Sequence, residues 1–471
     1  MKSVFFSVFG VVLLASCAND PVTTARNDRQ GLDSTYPHLA EEVRQETLRS
    51  WKAYKQYAWG HDALKPLTKS AEDWYEHPLY ISPIDAYSTL KLMGFDAEAQ
   101  EIENYVVDSL NWDKDIDAKV FEVDIRILGG LLSMYEMTGN PKVLAKTVDF
   151  ADRLMPAFKT PTGIPTYYVN LRTGKQKGDT VNVAEAGTNI LELGILSYYT
   201  EDPKYYAAGK RATLAIHERR SKLGLPGTDI NVRTGDWTNR NASICAGVDS
   251  YYEYLYKAYR LFGDTAIGRV WKEAITAVNE HLPEEHESLL WYGRVNMDDG
   301  SRTSDVITLY DAFFPALLVL SGDTVRAERM QRTYDHVWRL HGLEPTAYDY
   351  SKREVRAGDY DLNPEIIESA YYLYHFTGKP EYQEMAVRYW MDIKKHCRTD
   401  VAFTSVEDVR TMEQKDYMPT FFFAETMKYL YLSFSEGNGA FDLSDHVFNT
   451  EAHPFRRGTF DRTRAMKQVR P

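Results

Sequence analysis

The chain has 471 residues, with 55 Lys and Arg against 68 Asp and Glu and a formal net charge of −13 at pH 7. No basic tract interrupts that acidic balance, which argues against a nucleic-acid partner. Three cysteines cannot build a disulfide framework, and no C-x-x-C spacing marks a metal site.

At the N-terminus Lys2 precedes an apolar run from Val4 to Leu14, then Leu14-Ala15-Ser16-Cys17. Charge, run length and small-residue exit are those of a signal peptide. The tetrapeptide resembles a bacterial lipobox with Cys17 as the lipidated residue; the competing reading is a plain secretory signal with an incidental cysteine. One acyl anchor and no further long apolar run imply a soluble domain tethered to a membrane. The expected place is the periplasm or cell surface, and Ala18 after Cys17 points to the outer membrane. Residues 18–35 are polar and poor in aromatics, as a flexible tether is. Cys245 and Cys397 are expected as buried apolar fillers.

The remaining length suits two or three domains, yet an internal repeat argues for one, over 36–455, with 456–471 as a tail. Small turns at Gly94, Gly139, Glu201, Gly263, Gly322, Gly378 and Gly437 separate aromatic-rich stretches. Before each turn the apolar residues recur at helical spacing, as in Tyr251, Tyr252, Leu255, Tyr256 and Tyr259. After most of them a second helical run follows. Glycine at a helix end completes a helix–turn–helix unit. Valine-rich strand patterns are scarce. Seven such hairpins either stack as an open solenoid or close into a ring.

The acids favour the ring. Glu122, Glu185, Asp249, Asp305, Glu365 and Glu425 each fall near the start of the first helix of a repeat. In a closed ring those starts share one end, and the carboxylates face one another. Acids also collect in first helical turns because of the macrodipole, but Glu122, Glu185 and Glu425 have apolar or small neighbours that suit burial. Glu122 and Arg126 are four apart, on one helical face. Asn363-Pro364-Glu365 has the pattern of N-cap, first-turn proline and acid.

Several segments in order resemble glycoside hydrolase family 47, the class I α-1,2-mannosidases: Phe121-Glu122-Val123-Asp124-Ile125-Arg126, Asp249-Ser250-Tyr251-Tyr252-Glu253, Asn363-Pro364-Glu365, Phe421-Phe422-Phe423-Ala424-Glu425 and Asn449-Thr450-Glu451-Ala452-His453-Pro454. The resemblance implies an all-α (α/α)7 barrel, its pocket at one end and a C-terminal turn reaching in from the other. It implies calcium-dependent hydrolysis of a terminal α-1,2-linked mannose with inversion, on an α-mannoside glycan, by a monomer. Carried over residue by residue, Glu122 is the general acid and Arg126 orients acid and sugar. Glu365 is the base, with Asp249 the second choice. Phe421 packs beneath the mannose, Glu185 lies close to the acid, and Glu425 and Glu451 lie near the sugar and the metal's waters. Thr450 holds Ca2+ through its carbonyl and hydroxyl oxygens. Inversion needs the two working carboxyls roughly 6.5–9.5 Å apart. Departures are Asn363 and Gly247 where the family has arginines, and Pro419-Thr420 where it has Glu-Ser. Gly247 and the lack of a histidine from Leu309 to Pro315, with Asp311-Ala312-Phe313-Phe314-Pro315, resemble the ER-degradation mannosidase-like branch. Rival expectations are a mannose-binding protein without turnover, an (α/α)6 carbohydrate enzyme, and an open scaffold for protein partners.

Overall fold

Two kinds of helix alternate along this chain, and their side chains explain where each sits. Pro141–Leu154 is amphipathic: Val143, Thr147, Phe150, Ala151 and Leu154 are buried along one face. Its start is set by Asn140, whose side chain accepts from Lys142 N at 3.0 Å, and by a first-turn proline. Phe314–Ser321, in contrast, is buried all round from Phe314 to Leu320. A helix with no polar face must be enclosed by others.

The computed structural model describes residues 36–435 and 441–460. The expected signal peptide (1–17), the tether (18–35), the turn at Gly437 and residues 461–471 lie outside the described residues. In chain order the helices are α1 (Pro37–Ala58), α2 (Ile81–Leu92), α3 (Asp96–Asp108), α4 (Val120–Val123), α5 (Gly129–Thr138), α6 (Pro141–Leu154), α7 (Val183–Gly187) and α8 (Ile190–Thr200). There follow α9 (Lys204–Glu218), α10 (Asp249–Phe262), α11 (Thr265–His281), α12 (Phe314–Ser321), α13 (Thr324–His341), α14 (Glu365–Thr377), α15 (Pro380–Cys397) and α16 (Met427–Ser435).

The buried helices α2, α5, α8, α10, α12, α14 and α16 each pack on the next, and the π turn leading into α16 packs on α2. The ring is closed, as an (α/α)7 barrel. The amphipathic helices form the outer layer. Glycine ends α5, α10, α12 and α14 with φ of 65°, 70°, 100° and 68°, a left-handed conformation that L side chains avoid. Glu201 adopts the same conformation after α8, at φ 57°.

Two features depart from the seven-hairpin expectation. Six inner helices are followed by their outer partners, but the seventh pair joins the two ends of the domain: α1 lies along α16. Trp51 meets Phe423 edge-on at 5.8 Å, and Arg398 Nη2, just past the end of α15, lies 3.0 Å from Glu46 Oε1 on α1. Second, strands are not absent. Short antiparallel strands of two to four residues form small sheets, several running straight into inner helices, as Asp117–Lys119 into α4 and Thr180–Asn182 into α7. They are too brief to leave an alternating pattern.

A last hairpin, His446–Phe448 paired with Pro454–Arg456, plugs the barrel from the end where the inner helices finish. Backbone N–H of Arg456 donates to Glu136 near the end of α5 at 2.7 Å. Further in, Asn449 Nδ2 donates to Ile125 O at 3.0 Å and to Glu192 Oε1 at 2.9 Å, and Tyr254 OH accepts from Thr450 N at 3.2 Å. Gly129 leaves room for the loop, and Gly130 leaves room for α2 beside it. A Cβ on Gly129 would stand 2.5 Å from Asn449 Nδ2, and one on Gly130 would stand 2.6 Å from Ile84 Cγ2. Phe460 packs against Tyr198 and Tyr199, with ring centroids 4.9 and 5.8 Å away, so ordered packing continues five residues past 455.

Candidate active site

A cavity of about 710 Å³ opens at the end of the barrel where the inner helices begin. Glu122, Arg126, Glu185, Asp249, Glu365, Phe421, Glu425, Thr450 and Glu451 all line it. Residues up to 329 positions apart in sequence thus share one cavity. Asp305 does not join them. It precedes a strand at Val306–Thr308, and Tyr310 reaches the cavity from that repeat instead.

On one wall the chain passes from α4 into a π turn, Asp124–Leu128, before α5. An extra residue in the turn re-aims the side chains around it. Arg126 Nε donates to Glu122 Oε2 at 3.1 Å, its Nη1 is paired with Glu451, and its Nη1 lies 3.8 Å from Asp85 Oδ2. The guanidinium lies over the rings of Trp74 at 5.4 Å and Phe421 at 5.7 Å. Lys119 adds a second cation, its Nζ 3.2 Å from Glu122 Oε1 and 3.1 Å from Glu185 Oε1. Glu185 is itself fixed by a capping box with Asn182, whose Oδ1 accepts from Glu185 N at 2.8 Å. Burial raises the Glu122 pKa, but Arg126 and Lys119 outweigh it and hold Glu122 below its ordinary value.

The facing wall is the reverse. Glu365 is the first residue of α14, with Oε2 buried and no partner among the described residues. Burial, with Glu368 and Asp249 nearby, pushes it up to about 8. Asp249 opens α10, accepts from Ser250 N at 2.8 Å, and is pushed up to about 7 by burial and by Glu253 and Asp311. Asn363 does not cap α14 with its side chain as expected; Pro364 occupies that position. The reason is local: Asn363 Nδ2 turns to Glu365 Oε1, 3.5 Å away. Glu425 sits in a second π turn, Phe422–Thr426, and burial beside Glu451, Glu365 and Glu368 raises it well above the carboxylate range.

Around the ring Glu122 belongs to the second inner helix and Glu365 to the sixth, three helices apart by the shorter way. In a seven-membered ring that is the widest separation available. Asp249, on the fourth, is nearer to Glu122.

At the floor, Thr450 belongs to the plug. No described residue donates a hydrogen bond to its hydroxyl or carbonyl oxygen. Among the described residues no three His, Cys, Asp or Glu side chains converge as a metal cage. What is present is a pair of free threonine oxygens in a cavity also lined by Glu253, Glu368, Glu425 and Glu451. That is a hard-oxygen setting, which fits a calcium ion completed by waters and ligand oxygens.

Sequence reasoning missed Lys119, Trp74, Glu253 and Glu368, all on the cavity wall. The last two lie one helical turn beyond Asp249 and Glu365, a spacing that could have been used. Cys245 proved more than an apolar filler: its Sγ donates to Asp311 Oδ2 at 3.2 Å.

A closed ring of paired helices with an acid-lined, aromatic-walled cavity at one end is the make-up of a carbohydrate-cleaving enzyme. Residues 46–457 match the family model described as Glycosyl hydrolase family 47, and the chain belongs to that family of glycoside hydrolases. It is 34% identical over 456 residues to alpha-mannosidase I MNS5 of Arabidopsis thaliana, covering 91% of this chain and 78% of that protein. It is 35% identical over 463 residues to ER degradation-enhancing alpha-mannosidase-like protein 2 of Homo sapiens, covering 90% and 79%. The solved alpha-1,2-mannosidase from Trichoderma reesei superposes with a TM-score of 0.83 at 27% identity, covering 90% of this chain and all of that one.

Proposed function

We propose that this protein removes terminal α-1,2-linked mannose from mannans or high-mannose glycans, with inversion and with calcium. The observation that carries the reading is the placement of Glu122 and Glu365 on facing walls of one cavity, as inversion requires room for a water behind the sugar.

Phe421 packs beneath the sugar ring, and Arg126, fixed by Glu451 and Trp74, orients the glycosidic oxygen towards Glu122. Glu122 gives its proton to that oxygen as the bond from C1 breaks. Glu365 holds a water on the opposite face and takes its proton as the new C1–O bond forms; Asp249 is the second candidate for this step. Each proton is accounted for, and the enzyme returns when Glu365 passes its proton back to solvent and Glu122 regains one. Calcium bound through Thr450 would supply a grip on two adjacent sugar hydroxyls. It would also favour the ionised form of the acids that crowd one another here, which a base at Glu365 needs.

The lipid anchor at Cys17, with a periplasmic or cell-surface site of action, remains part of the proposal. Globomycin sensitivity of a precursor and its loss in Cys17→Ala test it.

The test of the reaction is NMR of the first anomer released from an α-1,2-mannobioside, with and without EDTA. A β-anomer formed only in the absence of chelator is expected. An α-anomer, or indifference to EDTA, overturns the reading.

A further inference from the structure

Lys119 is part of no motif above, yet it is the one amine on the cavity wall that touches the acid. It lies on the strand Asp117–Lys119, whose register places it opposite Tyr168, and its backbone N–H donates to Tyr75 OH at 3.0 Å. The side chain is only 25% exposed. Its Nζ lies 5.7 Å from the Phe121 ring centre and 5.1 Å from that of Tyr167, and between two carboxylates, Glu122 at 3.2 Å and Glu185 at 3.1 Å. Glu185 cannot follow a moving partner, since its other oxygen accepts from Asn182 N at 3.1 Å. Lys119 therefore hangs from a fixed point.

We propose that Lys119 is a positioning residue for the acid: anchored on Glu185, it holds the Glu122 carboxyl at the cavity wall and sets the pH range over which Glu122 carries its proton. The inference rests on Glu122 acting as the acid. The groups facing Glu122 make the case. Arg126 comes from its own helix run, Lys119 from the strand before it, Glu185 from α7 and Glu451 from the plug. Tyr75 and Tyr417 also face it, but burial pushes both up to about 12, so they stay neutral. The cations are therefore Arg126 and Lys119. Arg126 is divided between Glu122, Glu451 and Asp85, whereas Lys119 is divided between Glu122 and Glu185. An opposite charge at this distance lowers a carboxyl pKa by about one to three. Partial exposure of Lys119 places the effect at the low end.

The experiment is a titration of the whole protein labelled with [5-13C]glutamate, the Glu122 signal being assigned as the one lost in Glu122→Gln. Lys119→Met is expected to raise the Glu122 midpoint by about one pH unit, and Lys119→Arg to restore it. Glu185→Gln keeps the capping box and removes the anchor, so Lys119 pairs with Glu122 alone and the midpoint falls. In each case the kcat/KM profile on α-1,2-mannobioside moves with the midpoint, at the limb where Glu122 titrates. Lys119→Gln serves as the neutral variant should the Met variant fail to fold. A midpoint unmoved in the neutral variant overturns the inference, as does a kcat/KM profile that stays in place while the midpoint moves. Shifted midpoints in a wild-type protein that cleaves no mannobioside leave Lys119 as the setter of Glu122 and overturn the functional reading alone.

Discussion

The two walls of the cavity carry the same chemical group in opposite surroundings. Around Glu122 the neighbours are cations, Arg126 and Lys119, and the carboxyl is held low. Around Glu365 they are acids and apolar atoms, and the carboxyl is pushed up to about 8. Without a ligand the proposed acid is therefore the ionised one and the proposed base the protonated one. Active sites separate their carboxyls in this way, but here the order must be exchanged before the reaction can run. A calcium ion held by Thr450, as proposed, would lower the acidic wall, and a sugar that displaces water around Lys119 and Glu122 would raise the other.

The strongest way to break the comparison is to remove the acid. Glu122→Gln is expected to lower kcat on α-1,2-mannobioside by about 10²–10⁴-fold while calorimetry still records binding. Unchanged turnover and binding would remove Glu122 as the acid. On the facing wall, Glu365→Gln should cost activity on the same scale and Asp249→Asn less, because Glu365 stands across the ring from Glu122. The reverse ranking in initial rates would move the base to Asp249.

The contact of α5 with α2, next to the plug, offers a test of stability. Gly130→Ala places a Cβ 2.6 Å from Ile84 Cγ2 and 3.1 Å from the Ile84 carbonyl oxygen. A backbone oxygen cannot step aside, so a loss of about 1–3 kcal/mol should appear as a lower midpoint in urea, accompanied by weaker calcium binding.

A pH scan sharpens the contrast further. The Glu365 carboxyl binds its proton more tightly in the folded chain than when unfolded, where a glutamate titrates near ~4.3. The native state then carries more protons, and stability of the cation-free protein falls as pH rises from about 4.3 towards 8. Differential scanning calorimetry in EDTA should show the melting temperature dropping over that window, with added calcium restoring it most at the alkaline end. The smallest effect is expected at Trp74→Ala. Its ring lies under Arg126 at 5.4 Å, and a half-exposed contact of this type is worth about 1 kcal/mol, seen as a severalfold higher KM.

Much of this was legible in the chain because helical repeats advertise themselves. Gly139, Gly263, Gly322 and Gly378 mark places where only a left-handed turn fits, and an acid beside apolar neighbours, as at Glu185, announces burial. Other features left no trace. The π turns at Asp124–Leu128 and Phe422–Thr426 change a hydrogen-bond partner by one residue, an alteration no side-chain pattern encodes. Asp305 had the right spacing but the wrong element, since in that repeat a strand and a 3-10 turn precede the inner helix. The union of α1 with α16 joins segments at opposite ends of the domain, beyond the reach of any local periodicity.

That union has a kinetic corollary. Trp51 rests on Phe423, so the cylinder stays gapped until nearly the whole polypeptide has been synthesised. Bringing such distant partners together is the slow kind of encounter, its entropic toll set by the intervening chain. Nascent intermediates will therefore display the faces of α1 and α2 that the α16 run later covers, and chaperone capture during biogenesis should concentrate on that unsealed seam.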